Sequence, residues 1–497
     1  MFLSPSMSLR LMFTLAGVFC LTNALFHRAP VPAPIPGVIS LPYSLSTKPL
    51  LKRGATAVDI SMGALFANYI VNITVGTPPQ PITLSLDTGS SDTIVLTQQS
   101  SYCAKYDPTG TLYCPNVGYC KQYTRLFLAG AVLLTQTDNA NKSSSYQFIS
   151  SNFSSQFGFA SQGQGSGASG DVATDTFHLG DATLKNQQFD ISYGQSSIAF
   201  GILGLSYALG ENQAQGNPAK EYNNFPLALA ASGTTNLALF SLWKDSPTSH
   251  DGQLLFGGVD TSQYTGSLAT LDTQLRTGYT TPVAFDVILN GVALSGNSSF
   301  PAGSTGSVPV VLDCGTSYTI LPNDWVTPIH SEFGVTYFEA NDTAYVDCAL
   351  QKSTATINYT FESLTISVPI SVLVSLVAVN PNRCTFGIVP AQDRHALLGD
   401  NFLSSAYTVF DLTNNQISLA VRNFAASSTT TTDSVVVVPA GGVKSITTGT
   451  ATTNPSSSGT ASASATTTKK SSAARSVVSG FEVLVMMFSM LLLGSIV

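Results

Sequence analysis

Leu84-Ser85-Leu86-Asp87-Thr88-Gly89-Ser90-Ser91 returns far downstream as Val310-Val311-Leu312-Asp313-Cys314-Gly315-Thr316-Ser317. Each copy is an apolar run, an aspartate, a small residue, a glycine and a hydroxyl pair. A duplication of this kind implies two similar lobes, each giving one carboxylate to a shared site. The repeat extends further. Ile202-Leu203-Gly204 follows Asp87, and Leu397-Leu398-Gly399 follows Asp313. A glycine there lets a second backbone segment come close beside the aspartate loop.

Around the first copy the pattern has period two. Val71, Ile73 and Val75 alternate with polar neighbours, Gly76-Thr77-Pro78-Pro79 turns the chain, and Ile82, Leu84 and Leu86 alternate again. This predicts a β-hairpin that delivers Asp87 at a strand end. Thr365-Ile366-Ser367-Val368 and Gln416-Ile417-Ser418-Leu419 alternate in the same way, and helical periods are few and short. The body, between residues 67 and 424, therefore reads as mostly β.

The chain has 497 residues, enough for more than one lobe, with 10% charged residues and a net charge of −7. No basic stripe is available to neutralise phosphates, which excludes a nucleic-acid partner. Arg10 followed by the apolar residues 11–21 reads as a secretory signal, over residues 1–24. A Pro-rich segment ending at the dibasic Lys52-Arg53 reads as a propeptide, over 25–53. The lobes are then expected at 54–262 and 263–424. Six glycosylation sequons, at Asn72, Asn141, Asn152, Asn297, Asn341 and Asn358, predict exposed positions in a secreted protein. Residues 425–475 are rich in Ser, Thr and Ala and read as an extended stalk that cannot bury a core. The uncharged tail 483–497, with small residues upstream at Ser471, Ser472, Ala473 and Ala474, has the pattern of a GPI-attachment signal over 476–497.

On its motifs the body resembles the pepsin-like aspartic endopeptidases. Besides the two aspartate loops, the matching stretches include Phe256-Gly257-Gly258-Val259-Asp260, Tyr264-Thr265-Gly266 and Leu398-Gly399-Asp400-Asn401-Phe402. The tail and dibasic site look most like the cell-surface fungal members. The resemblance implies an all-β, bilobal, double-β-barrel fold with an active-site cleft between the lobes and a β-hairpin flap. It implies peptide-bond hydrolysis by a two-aspartate dyad, Asp87 and Asp313, on polypeptide substrates at acid pH. Two adjacent carboxylates share one proton, so that one can activate water while the other polarises the scissile carbonyl. Gly89 and Gly315 would keep the loops tight, Ser90 and Thr316 would donate to the outer carboxylate oxygens, and Thr88 would lock one loop to the other. No metal or cofactor is expected, since the five histidines lack metal-ligand spacing. A monomer is expected, held at the plasma membrane or cell wall through a GPI anchor after passage through the secretory pathway.

Two places depart from the family. Cys314 stands where Thr or Ser is usual. A thiol is a weak donor, so half of the cross-loop lock should weaken by about 0.5–1.5 kcal/mol. In the flap, Gln162-Gly163-Gln164-Gly165-Ser166 matches the family's motif with Gln162 in place of its tyrosine. Ile94 replaces the tryptophan which that tyrosine usually bonds, and Phe157 or Phe159 could supply the missing ring. The cysteines follow the family in part. Cys348 and Cys384 resemble its C-lobe disulfide. Two of Cys103, Cys114 and Cys120 should pair, Cys103 with Cys114 or Cys120, and Cys314 is expected as a free buried thiol. The departures leave one rival reading beside the enzyme, a pepsin-fold binding protein with weak or lost catalysis, and the stalk leaves another, a structural wall mannoprotein whose stalk is the functional part.

Overall fold

The computed structural model describes residues 35–46, 68–97, 126–128, 131–133, 143–157, 166–193, 200–214, 217–247, 251–295, 306–376, 383–426 and 433–446. The signal, the GPI-type tail, most of the propeptide segment, Cys103, Cys114, Cys120, Phe159 and residues 162–165 lie outside the described residues.

The N-terminal half contains β1 (Ile39–Ser46), β2 (Asn68–Val75), β3 (Gln80–Asp87), β4 (Thr93–Leu96), the short pair β5 (Leu126–Leu128) and β6 (Ala131–Leu133), then β7 (Gln147–Phe157), β8 (Ser166–Leu179), β9 (Ala182–Ser192) and β10 (Gly201–Gly204). The expected hairpin is β2–β3, with Val71 opposite Leu84 and Ile73 opposite Ile82. Strands β2, β3, β10, β4, β9 and β8 follow one another in the sheet, and a further β2–β8 pairing closes them into a barrel. Its apolar positions, among them Val75, Leu84, Leu86, Val95, Phe177 and Phe189, are buried. The period-two pattern of the sequence is thus the inside–outside alternation of one barrel wall.

Next come β11 (Leu239–Lys244), β12 (Asp251–Phe256), β13 (Gly258–Asp260) and β14 (Tyr264–Asp272). The C-terminal half adds β15 (Asp286–Leu289), β16 (Gly291–Leu294), β17 (Val308–Leu312), β18 (Thr319–Leu321), β19 (Thr336–Phe338), β20 (Thr343–Asp347), β21 (Thr356–Phe361), β22 (Leu364–Pro369), β23 (Val374–Leu376), β24 (Arg383–Phe386), β25 (Ile388–Pro390), β26 (Leu397–Leu398), β27 (Ala406–Asp411), β28 (Gln416–Arg422) and β29 (Val435–Val437). Three sheets build this lobe: β15-β17-β26-β18-β25, β16-β21-β22 and β19-β20-β24-β23. The Asn323–Phe333 helix stops at Gly334, which takes the left-handed conformation (φ 63°) that a helix C-terminus favours. Cys348 and Cys384 form the expected disulfide. The fold is the all-β bilobal one.

Between the lobes runs a shared sheet in the order β14-β28-β27-β11-β12-β1-β2. Phe240 of β11 stacks on Phe410 of β27 with ring centroids 4.9 Å apart, and Phe285 packs against Phe410 in a tilted arrangement at 4.6 Å. β1 sits between β12 and β2. The segment read as a propeptide therefore supplies a strand of the central sheet in the uncut chain.

The stalk boundary needs correction. Residues 433–446 are docked on the body. β29 pairs with β13, and the Thr261 amide donates to Ser434 O at 2.8 Å. Val438 and Val443 are buried with Trp243, Leu255, Val259 and Tyr407. Composition averaged over a long Ser/Thr-rich stretch hid Val435-Val436-Val437-Val438, a β-branched run of the kind that fits a pleated, half-buried surface.

Candidate active site

Asp87 ends β3, and Asp313 directly follows β17. Each is fixed by a parallel strand that the second motif supplies. Gly204 of β10 lies opposite Asp87, and Leu398 of β26 lies opposite Leu312. The Leu205 amide donates to Asp87 O at 2.9 Å, and the Asp313 amide donates to Leu398 O at 3.1 Å. Glycine is required at both crossings. A Cβ on Gly204 would lie 2.5 Å from Asp92 O, and one on Gly399 would lie 2.2 Å from Tyr318 O.

The two carboxylates have matching hydrogen-bond partners. Gly89 N–H donates to Asp87 Oδ1 at 2.8 Å and Ser90 Oγ to Oδ2 at 2.5 Å. Gly315 N–H donates to Asp313 Oδ1 at 2.8 Å and Thr316 Oγ1 to Oδ2 at 2.6 Å. The glycines also let the loops face one another closely. A Cβ on Gly89 would meet Asp313 at 2.7 Å, and one on Gly315 would meet Asp87 Oδ1 at 2.4 Å. Each loop's inner surface thus touches the other loop's carboxylate. Burial, and then the neighbouring Asp87, push the Asp313 carboxyl up to about 7, while the bonds from Thr316 and Gly315 pull against that rise.

Thr88 is buried and spans the lobes. Its Oγ1 donates to Leu312 O and accepts from the Cys314 amide, both at 2.9 Å. This half of the lock is intact because it needs only the backbone of residue 314. Cys314 is buried and free. Burial, then Asp87 and Asp313, hold its thiol far above the usual range, with partial relief from Thr88. It stays protonated and is no nucleophile.

A family model for eukaryotic aspartyl proteases matches residues 68–422. The chain belongs to the eukaryotic aspartyl proteases. It is 40% identical over 364 residues to a probable aspartic-type endopeptidase opsB of Aspergillus oryzae, covering 72% of this chain and 69% of that one. The Aspergillus fumigatus protein of the same name is 34% identical, with 84% and 83% covered. Aspartic proteinase yapsin-3 of Saccharomyces cerevisiae is 32% identical, with 71% and 65% covered. These relatives and the family make the protein a peptide-bond hydrolase and favour that reading over the binding-protein and wall-protein ones.

Three features of this aspartyl protease were not apparent from sequence. First, Ile94 is buried in a small apolar cluster with Leu96, Phe153, Ala168, Val172 and Ile202. Among the described residues the aromatic ring in that cluster is Phe153, earlier in the hairpin than Phe157 or Phe159. Ser166 opens β8, and Gln162, Gly163 and Gly165 lie outside the described residues. Second, Asp92, five residues after Asp87, accepts from the Asn212 amide at 2.8 Å and from Tyr222 Oη at 3.1 Å. Third, Lys244 and Asp400 form a buried ion pair at 3.1 Å behind the second loop. Burial lowers Lys244 to about 8 and raises Asp400 to about 8, so desolvation opposes the attraction on both sides. Only Asp400 had a sequence signal, as part of a matching motif. Its partner is an ordinary lysine at the end of a strand.

Proposed function

We propose that this protease is secreted and held at the cell surface, and that Asp87 and Asp313 activate the water that attacks the scissile carbonyl. The matched hydrogen-bonding of the two carboxylates carries the reading. Each has one backbone donor on Oδ1 and one hydroxyl donor on Oδ2. Those donors orient the carboxylates and favour a charge on the pair, while burial and mutual repulsion keep one proton on it. The ionised member takes a proton from the water. The protonated member polarises the carbonyl, the tetrahedral intermediate collapses, and the leaving nitrogen departs with a proton. A pair that must hold one proton fits acidic working conditions. The substrate is an extended polypeptide segment lying along the cleft.

The signal-like N-terminus, the dibasic Lys52-Arg53, the sequons and the apolar C-terminal tail support synthesis as a zymogen in the secretory pathway and GPI anchorage at the membrane or wall. Asn72, at one sequon, is exposed on β2. The test is cleavage of a denatured protein by the secreted chain from pH 3 to 7, with and without pepstatin. Activity that peaks in acid, is blocked by pepstatin and vanishes in both Asp87→Asn and Asp313→Asn is expected. Residual cleavage at wild-type rates in either variant overturns the dyad assignment. Release of the protein from cells by a phosphatidylinositol-specific phospholipase separately tests the anchor.

A further inference from the structure

The hairpin β7–β8 outruns the sheet that supports it. β9 ends at Ser192, opposite Gly170 of β8, and one more bond follows, from the Tyr193 amide to Ser169 O. Beyond that point, among the described residues, the strand partners of 154–157 are 166–169 alone. An isolated two-stranded ribbon is marginal in water, so its direction depends on what holds it at the root.

Two contacts hold it there, and both lead to the Asp87 loop. Phe153 lies opposite Gly170 where the ribbon leaves the sheet and is 3% exposed. It packs on Ile94 and Leu96 of β4, which follows the loop, and on Ile202 of β10, the strand whose Gly204 faces Asp87. One residue on, Asn212 Nδ2 donates to Ser154 O at 2.6 Å. The backbone N–H of the same Asn212 donates to Asp92 Oδ2 in the segment joining β3 to β4. The ribbon is thus clamped by an apolar contact and an amide on adjacent residues of β7. The register of β7 on β8 also shifts just before Phe153, between Ser151 and Phe153, the kind of irregularity that bends a strand locally.

We propose that Phe153 and Asn212 are positioning residues that set the direction of the β7–β8 ribbon relative to the Asp87 loop, by fixing its root to the segments that frame the aspartate. Neither side chain bonds to Asp87. Their effect reaches the reaction through the ribbon, whose misplacement by about 1 Å is enough for a large loss of rate.

The test uses the secreted full-length enzyme. Phe153→Ala, Phe153→Leu, Asn212→Ala and the exposed same-strand control Phe148→Ala are compared by kcat and KM on one peptide. Hydrogen exchange of residues 154–157 and 166–169 and thermal unfolding are measured alongside. Wild-type cleavage and its loss in Asp87→Asn stand as the baseline, so failure of the dyad reading would be seen separately. Phe153→Ala is expected to lower kcat/KM by about 10–100-fold, mainly in kcat, and to speed exchange in the ribbon. Phe153→Leu should recover most of the rate, and Phe148→Ala should change little. Asn212→Ala, which removes one side-chain bond and keeps the backbone bond to Asp92, should lower kcat/KM about fivefold or more, and it decides the matter if Phe153→Ala does not fold. Values of kcat/KM within twofold of wild type in the folded variants overturn the proposal, whatever happens to Tm. So does a loss of rate with ribbon exchange unchanged.

Discussion

Thr88 and Cys314 divide the cross-lobe lock unequally. Thr88 serves as donor to Leu312 O and as acceptor for the Cys314 amide, and both partners are backbone. Thr88→Val would strand two buried backbone groups, at about 1–3 kcal/mol for each. A lower midpoint in chemical unfolding and a lower kcat are the expected results. Cys314→Thr would restore a hydroxyl at the mirror position, and should raise stability by about 0.5–1.5 kcal/mol. An unchanged unfolding midpoint would mean that the thiol already fills that role. The carboxyls give a prediction in pH. Asp313 has its folded pKa raised to about 7 by burial and then by Asp87. Its contribution to stability is therefore fully present below the unfolded value of about 4 and is lost as pH rises through about 7. The proton held by the pair is lost over the same range, and kcat/KM should fall there. Thr316 donates to Asp313 and favours the charge. Thr316→Val should then move the pH–rate profile upward, and a downward move would contradict the assigned bond. Both aspartates and their hydroxyl partners were legible in sequence because the motif is local and occurs twice. Lys244 beneath Asp400 was not, because nothing near it in the chain marks it as a partner.

Among the elements, alternation revealed the strands of the N-terminal barrel and missed what lies between them. Asp92, Asp190 and Glu211 come from the segment after Asp87, from β9 and from the segment after Tyr207, and each is buried. Burial is the first cause of the raised pKa of each carboxyl, with Glu211 reaching about 9. The charges acting on Glu211 are those of Asp92, Glu221 and Asp190, all acidic. Tyr222 faces the group too, giving its amide to Glu211 and its hydroxyl to Asp92. A raised carboxyl pKa means that folding takes up protons. The stability involved is complete below about pH 4 and is lost as pH climbs toward the folded value. Glu211→Gln, whose oxygen can still accept from Tyr222, should make Tm less sensitive to alkali. A clear gain over wild type is expected at pH 8 and little difference at pH 4. Parallel Tm–pH curves for the two proteins would refute the cluster's role. No sequence pattern pointed to these residues, since they are far apart in the chain and only the closure of the barrel brings them together.

For the whole molecule, the duplicated motif announced two lobes but not the sheet between them. Pairings such as β11 with β27 and β1 with β12 join segments remote in sequence, and no local period encodes them. The same sheet explains why the body does not end at residue 424. Its strands alternate between two apolar faces. Phe240, Leu242, Leu254 and Phe410 point into the main core with Leu312 and Cys314, while Leu239, Trp243, Leu255 and Tyr407 point the other way. Val438 and Val443 of the 433–446 segment are buried against that second face. Chains ending after Phe424 and after Thr448 isolate the contribution of the segment. Each buried valine contributes about 1.5–3 kcal/mol before the entropy of ordering the segment is subtracted, so the shorter chain should melt several degrees lower. Val438→Asp in the longer chain should reproduce most of that loss by placing a charge against Trp243 and Tyr407. Equal Tm values for all three proteins would show that the outer face is stable when exposed. The expected fall would place the 433–446 segment within the folded enzyme and begin the stalk after it.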